Sequence, residues 1–262
     1  MRECAHAQPS QARAVTTLAQ GQRRQLNTKE KFRDALPDGA AGDQVTARRL
    51  AVGADGWVAA AARVDSPNRD VRPPGVVATL VVVHGISLPP GEFGGDGIVR
   101  LFTNTLDPVA HPFYATIAGL RVSAHFLVRR DGALVQFVSC AERAWHAGVS
   151  SWRGRARCND YSLGIELEGA DDVPYTARQY AALAALLRAL RRRYPLEAAV
   201  GHSDVAPGRK TDPGPAFDWD RLARLAGARR LRPQADAAAG PATLPAGPAG
   251  AIRGPRPVLR YN

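Results

Sequence analysis

Residues 78–83 read Ala-Thr-Leu-Val-Val-Val, and the next residue is His84. An apolar run this short, weighted to β-branched side chains, is a buried strand. It must be covered by other elements, and the sequence supplies them. Residues 124–128 and 133–138 are apolar runs around Asp131-Gly132, the pattern of a hairpin. Residues 162–167 (SLGIEL) read as a further strand. Residues 198–200 read as a short one, leading through Gly201 into His202. The clearest helix spans 176–193. Tyr180, Leu183, Leu187, Leu190 and Tyr194 recur there at steps of three and four. Thr176 and Gln179 fit a capping box, and Pro195 stops the helix. A shorter helix is read over 218–226, with Gly227 at its C-terminal end. The fold class is therefore α/β.

Composition narrows the setting. The chain has 262 residues, 45% of them hydrophobic, enough for one ordinary domain with room left over. No stretch approaches the roughly 18 consecutive apolar residues of a membrane-spanning helix. The N-terminus shows neither the apolar core nor the cleavage site of a secretory signal. Cys4, Cys140 and Cys158 have no metal-like spacing and make no disulfide framework. These features point to a soluble protein of the cytoplasm, with no membrane association and no evident obligate protein partner.

The net charge of +11 invites a nucleic-acid partner, so its location matters. Residues 1–50 hold nine Lys/Arg against five Asp/Glu, and residues 228–262 hold six against one. Residues 51–227 hold twenty against eighteen. The excess lies in the two ends, so the central part offers no basic face and no nucleic acid is expected to bind it. Residues 1–50 show no sustained apolar period and are read as a poorly ordered basic extension, with a short helix around 28–36. Residues 228–262, rich in Ala, Gly, Pro and Arg, are read as a disordered tail. Residues 51–227 form the domain.

Of six histidines, His84 and His202 share one context, each at the end of an apolar strand. Strand ends are where a rigid scaffold presents side chains to a cleft. Ten residues after His202 comes Asp212. Two imidazoles and a carboxylate suit Zn²⁺ with its fourth position left for water. Calcium and magnesium prefer oxygen ligands. Spacing alone leaves open that these histidines are merely hydrogen-bonded. His202-Ser203-Asp204 also matches the start of a facial iron triad, but no histidine follows His202 to complete one.

Glu166 and Glu168 point to the same side of their strand. Either that strand is an edge with a solvated charged face, or Glu166 is a buried carboxylate with work to do, such as general-base catalysis. Lys210 is either an oxyanion stabiliser or an ordinary loop lysine. The loops 87–97 and 144–160 are long for a compact domain, which marks them as functional.

Five blocks in this order resemble one family: 81–95 (VVVHGISLPPGEFGG), 120–125 (LRVSAH), 143–149 (RAWHAGV), 158–169 (CNDYSLGIELEG) and 209–219 (RKTDPGPAFDW). These are the 1,6-anhydro-N-acetylmuramyl-L-alanine amidases of cell-wall recycling, zinc enzymes with the peptidoglycan-recognition-protein fold. The resemblance covers about residues 54–227. It implies a mixed central sheet flanked by helices, with a zinc cleft on one side. It implies zinc ligands at His84, His202 and Asp212, a catalytic glutamate at Glu166 and a catalytic lysine at Lys210. It further implies a muropeptide substrate whose carboxylates meet Arg121 and Arg157, and whose sugar and lactyl groups are walled by Trp145 and the 87–97 loop. Gly85 departs from the pattern, which has Asn after the first ligand. That change removes a substrate hydrogen bond or leaves room for a water. Two other readings go with the same sequence: a murein-lytic amidase of this fold, and a non-catalytic peptidoglycan-binding module.

Overall fold

The computed structural model describes residues 50–227. The readings for 1–49, including the helix around 28–36, and for 228–262 lie outside the described residues.

Among the described residues, ten strands and five α-helices follow one another. The strands are β1 (Ala62–Arg63), β2 (Arg69–Val71), β3 (Leu80–Ile86), β4 (Phe126–Val128), β5 (Leu134–Gln136), β6 (Glu142–Ala144), β7 (Ser151–Trp152), β8 (Arg155–Ala156), β9 (Ser162–Glu168) and β10 (Ala198–Gly201). The helices are α1 (Gly97–Phe102), α2 (Pro112–Thr116), α3 (Ala177–Arg193), α4 (His202–Val205) and α5 (Trp219–Ala226). Six strands form the central sheet in the order β1-β5-β4-β9-β3-β10. Only β4 and β5 pair antiparallel in it; the other four pairings are parallel.

The expected hairpin is β4–β5. Its turn is closed by Gly132 N–H donating to the Arg129 carbonyl, with Gly132 at φ 87. That left-handed conformation is the one glycine adopts without strain. The strand predicted over 78–83 starts two residues later and runs on to Ile86, because its pairing with β9 continues from His84 opposite Glu166 to Ile86 opposite Glu168. His84 is thus inside the strand. The loop expected over 144–160 contains the small β7–β8 hairpin and a 3-10 turn at Cys158–Asp160.

Helix α3 begins with the expected capping box. Thr176 Oγ1 accepts from Gln179 N–H at 3.1 Å, and Gln179 Oε1 accepts from Thr176 N–H at 3.0 Å. Its leucines at 183, 186, 187 and 190 are all buried. Each such side chain contributes about 1.5–3 kcal/mol on leaving water. They pack on Val81, Val83, Leu163 and Ile165, which share one face of the sheet. Leu80, Val82 and Val200 face the other way, against Ala147, Cys158 and Tyr161. By the same alternation His84 and Glu166 belong to this second face. It ends at the C-terminal edges of β3, β9 and β10, where parallel sheets place ligands.

Candidate active site

Three side chains meet at that edge. His84 comes from β3, His202 opens α4 directly after β10, and Asp212 lies in the following loop. They are 2%, 3% and 6% exposed. His84 Nδ1 is 3.0 Å from His202 Nδ1 and 3.2 Å from Asp212 Oδ2, and His202 Nδ1 is 3.1 Å from the same Oδ2.

The outer hydrogen bonds fix which ring nitrogens carry protons. A carbonyl only accepts, so His202 Nε2, 3.2 Å from the Ala147 oxygen, is the N–H of that ring. A longer chain settles His84. Ser162 Oγ donates to the Cys158 carbonyl at 2.6 Å, so towards His146 Nε2, at 3.3 Å, it accepts. That puts the His146 proton on Nε2 and leaves Nδ1 as an acceptor. His84 Nε2, 3.0 Å from His146 Nδ1, therefore donates. Both Nδ1 atoms then turn lone pairs towards each other and towards the Asp212 carboxylate.

Three acceptors with no proton among them repel one another unless a cation lies between them. A tetrahedral zinc with Zn–N bonds of about 2.0–2.1 Å separates its ligand atoms by about 3.3 Å, close to the three distances here. The donor set is chemically right for zinc, and the residues fit the ion.

The electrostatics agree. Burial, then the neighbouring His202, holds the His84 imidazole down to about 4, against the pull of Asp212. Burial pushes the Asp212 carboxyl up, but the close approach of the His202 and His84 rings outweighs it and holds the group well below the usual range. The ligands are thus in the protonation states that a metal requires.

Glu166 sits directly across from His84 in the β3–β9 pairing. The solvated-edge reading fails, because β9 is the fourth strand of six and Glu166 is 7% exposed. Its Oε2 makes no hydrogen bond among the described residues. Burial, then repulsion from Asp212, raises its proton affinity well above the ordinary carboxyl value, with Lys210 opposing. A buried carboxylate oxygen left unpaired beside a cation site is positioned to take a proton from a bound reactant.

A cleft opens over these groups. Glu166, Lys210 and Trp145 line it together with Leu88, Leu101 and Phe102. A neighbouring cavity shares Trp145 and Lys210 and extends to Arg121 and Arg209. Arg157 is not among the residues lining either one. It follows β8 at φ 62, and its Nε donates to Asp160 at 2.9 Å, with the side chain 72% exposed. Gly85 lines the cleft, and the Tyr175 hydroxyl lies in the space beside it. A Cβ there would collide with the Tyr175 hydroxyl, which donates to the Pro213 carbonyl at 3.0 Å.

Two contributors were not singled out from the sequence. His146 orients His84 but lies in a loop without periodicity. Arg209 donates through Nη2 to the carbonyls of Ala147 and Val149, at 2.7 Å each. It thereby steadies the same Ala147 oxygen that orients His202.

Residues 74–215 match the N-acetylmuramoyl-L-alanine amidase family. Among curated proteins, the chain is similar to the 1,6-anhydro-N-acetylmuramyl-L-alanine amidase AmpD of Escherichia coli K12, 62% identical over 169 residues, which are 64% of this chain and 92% of that protein. AmpD of Citrobacter freundii is 60% identical over 173 residues, 65% of this chain and 92% of the relative. Among solved structures, a crystal structure of a selenomethionine AmpD derivative superposes with a TM-score of 0.64 at 60% identity, covering 65% of this chain and 97% of that one. The fold, mixed α/β with a mostly parallel sheet, is the one expected. On these matches, this chain belongs to the N-acetylmuramoyl-L-alanine amidase family.

Proposed function

We propose that this chain hydrolyses the amide between the lactyl carbonyl of 1,6-anhydro-N-acetylmuramic acid and L-alanine in muropeptides, as a zinc-dependent step of cell-wall recycling in the cytoplasm. The observation that carries the reading is the convergence of three unprotonated donor atoms from His84, His202 and Asp212 beside the unpaired Glu166 carboxylate. The names of the relatives support the substrate class. The two buried free thiols, Cys140 and Cys158, support a reducing compartment.

Zinc held by the three ligands would polarise the scissile carbonyl and lower the pKa of a water. Glu166 accepts the proton released as that water attacks the lactyl carbon. Its raised proton affinity suits it to hold the proton until the C–N bond breaks. It then delivers that proton to the departing nitrogen of L-alanine. Lys210 places positive charge beside the carbonyl oxygen as that oxygen becomes negative. Arg121, at the rim, holds a stem-peptide carboxylate and orients the amide. Arg157, just after the β7–β8 hairpin, serves the far end of a longer stem. Trp145 and the 87–97 loop wall the sugar and lactyl groups, with Gly85 at their base. Residues 51–227 carry the whole activity.

The test is an assay on the full chain with its metal content recorded. Anhydro-N-acetylmuramyl tripeptide and intact murein sacculi are supplied separately, and free peptide is measured by mass. Release from the anhydromuropeptide alone, with about one zinc per chain, is the expected result. Release from sacculi would assign the chain to wall lysis. Release from neither would leave a recognition module.

A further inference from the structure

The second carboxylate of β9, Glu168, is 1% exposed and meets the 87–97 loop and the β4–β5 turn. Its Oε1 accepts from Gly94 N–H at 2.6 Å and from Arg129 Nη1 at 3.2 Å, and its Oε2 accepts from Arg130 N–H at 3.2 Å. Arg129 Nη1 also donates to the Gly95 carbonyl at 2.6 Å. The Arg130 guanidinium lies 4.9 Å from the centre of the Phe93 ring. Three successive loop residues, Phe93, Gly94 and Gly95, are therefore gripped by one cluster from β9 and the β4–β5 turn.

Nearer its start the loop has other holds: Ser87 Oγ accepts from Gly91 N–H at 2.8 Å, and the Tyr114 hydroxyl donates to the Leu88 carbonyl at 3.4 Å. Residues 87–96 form no strand or helix. A Cβ added at Gly91, Gly94 or Gly95 would have no neighbour within 4 Å, so the loop is not packed at those positions. At residues 93–95 the position is set by the contacts to Glu168, Arg129 and Arg130, and the charged pair supplies the strong ones. The consequence reaches the cleft at both ends of the loop. Leu88 lines the cleft directly, and the loop runs into α1, whose Leu101 and Phe102 form the same apolar wall. Stability alone is a poor reason to bury an ion pair here, since apolar residues of similar size commonly serve as well. Fixed geometry is a better one, because β9 carries both Glu166 and the anchor of the wall.

We infer that Glu168 and Arg129 are positioning residues for the substrate, holding the 87–97 wall at a set distance from Glu166. The inference rests on the amidase reading for its kinetic consequence but not for the anchoring itself. Two variants of the full chain test it, Glu168→Gln and Arg129→Met, each loaded with zinc. Loosening the wall raises KM for anhydro-N-acetylmuramyl tripeptide by about 10-fold while kcat stays within about 3-fold. Zinc content stays at the wild-type level. Amide hydrogen exchange in peptides covering 87–97 speeds up by about 10-fold or more, while peptides from β9 and α3 keep their protection.

A merely structural role would lower thermal stability without moving KM, and that result overturns the inference. So does a fall in kcat at unchanged KM, or unchanged exchange in the loop. Arg129→Met leaves both backbone N–H bonds to Glu168 in place, so it decides the matter if Glu168→Gln does not fold. If the wild-type chain releases no peptide, the amidase reading fails by itself, and loop exchange alone then decides the anchoring.

Discussion

The imidazole of His146 occupies the space that a side chain at Gly164 would need: a Cβ at that position would collide with the ring. The missing side chain on β9 lets the ring lie against the sheet, between Ser162 and His84. There it accepts from His84 Nε2–H and so keeps the other nitrogen of His84 available for a metal.

His146→Leu removes that acceptor. Zinc affinity should fall by about 10–100-fold, the usual effect of losing a partner behind a metal-bound histidine. His146→Gln, whose amide oxygen restores an acceptor, should recover part of the loss. Competition with a chromogenic chelator measures both, without reference to turnover. Equal zinc affinity in the wild-type and Leu proteins would mean that His84 is oriented by packing alone.

Asp212→Ala should abolish tight zinc binding, because two imidazoles remain and the carboxylate that neutralises part of the metal charge is gone. Metal content after dialysis reads this directly. Full occupancy in the variant would remove Asp212 from the ligand set.

Glu166→Gln separates metal binding from catalysis. The variant should keep its zinc and lose turnover by about 10²-fold or more, the usual contribution of a positioned general base. Near-normal turnover would move the base elsewhere. Glu168 is not the obvious successor, since its oxygens are committed to Gly94, Arg129 and Arg130.

The contrast between these two glutamates marks the limit of what the sequence discloses. Ser-Leu-Gly-Ile-Glu-Leu-Glu reads as a strand from its alternation. A central strand and an edge strand can share that pattern, and only the neighbours, β3 on one side and β4 on the other, decide burial. Local signals read well. The Thr176–Gln179 cap, the Asp131-Gly132 turn and the apolar run before His84 are each set by chemistry within a few residues. The ligand set was harder, because His84 and Asp212 are 128 positions apart. Spacing over that distance carries no signature, and the family resemblance supplied what periodicity could not. His146 stands in one of the family-like blocks, but its role is not legible there, since it depends on a glycine in another element.

Acid should destabilise the metal-free protein through its buried histidines. Burial, then His202, takes His84 down to about 4. Burial, then Arg72, takes His125 to about 3. Burial, then His84 and His125, takes His146 well below its ordinary value. Below about 6.5 the unfolded chain gains protons that the folded chain refuses, so stability present above 6.5 is lost as pH falls towards 4. Each histidine contributes a slope of about 1.4 kcal/mol per pH unit within its window. Urea titrations between pH 7 and pH 4.5 measure the trend. A flat profile would show that these rings ionise in the folded state.

Glu166 works in the opposite direction, and one substitution isolates it. Its folded-state proton affinity is raised, chiefly by burial and then by Asp212. The folded metal-free chain therefore holds a proton that the unfolded chain releases above the ordinary glutamate range. The stabilising contribution is complete below about 4.5 and is lost as pH rises through the raised value. Glu166→Gln carries no such dependence. The metal-free variant should be more stable than wild type at pH 7, and the advantage should fade as pH falls towards 4.5. Paired urea titrations of the two metal-free proteins read this as a difference in midpoint. An advantage that grows on acidification, or is absent at pH 7, would mean that Glu166 is solvated and ionises normally. The proton affinity proposed for the catalytic step would then have no basis. The expected outcome is a variant that gains stability at the pH where it loses turnover, because the buried carboxylate that costs the fold is the one that serves the reaction.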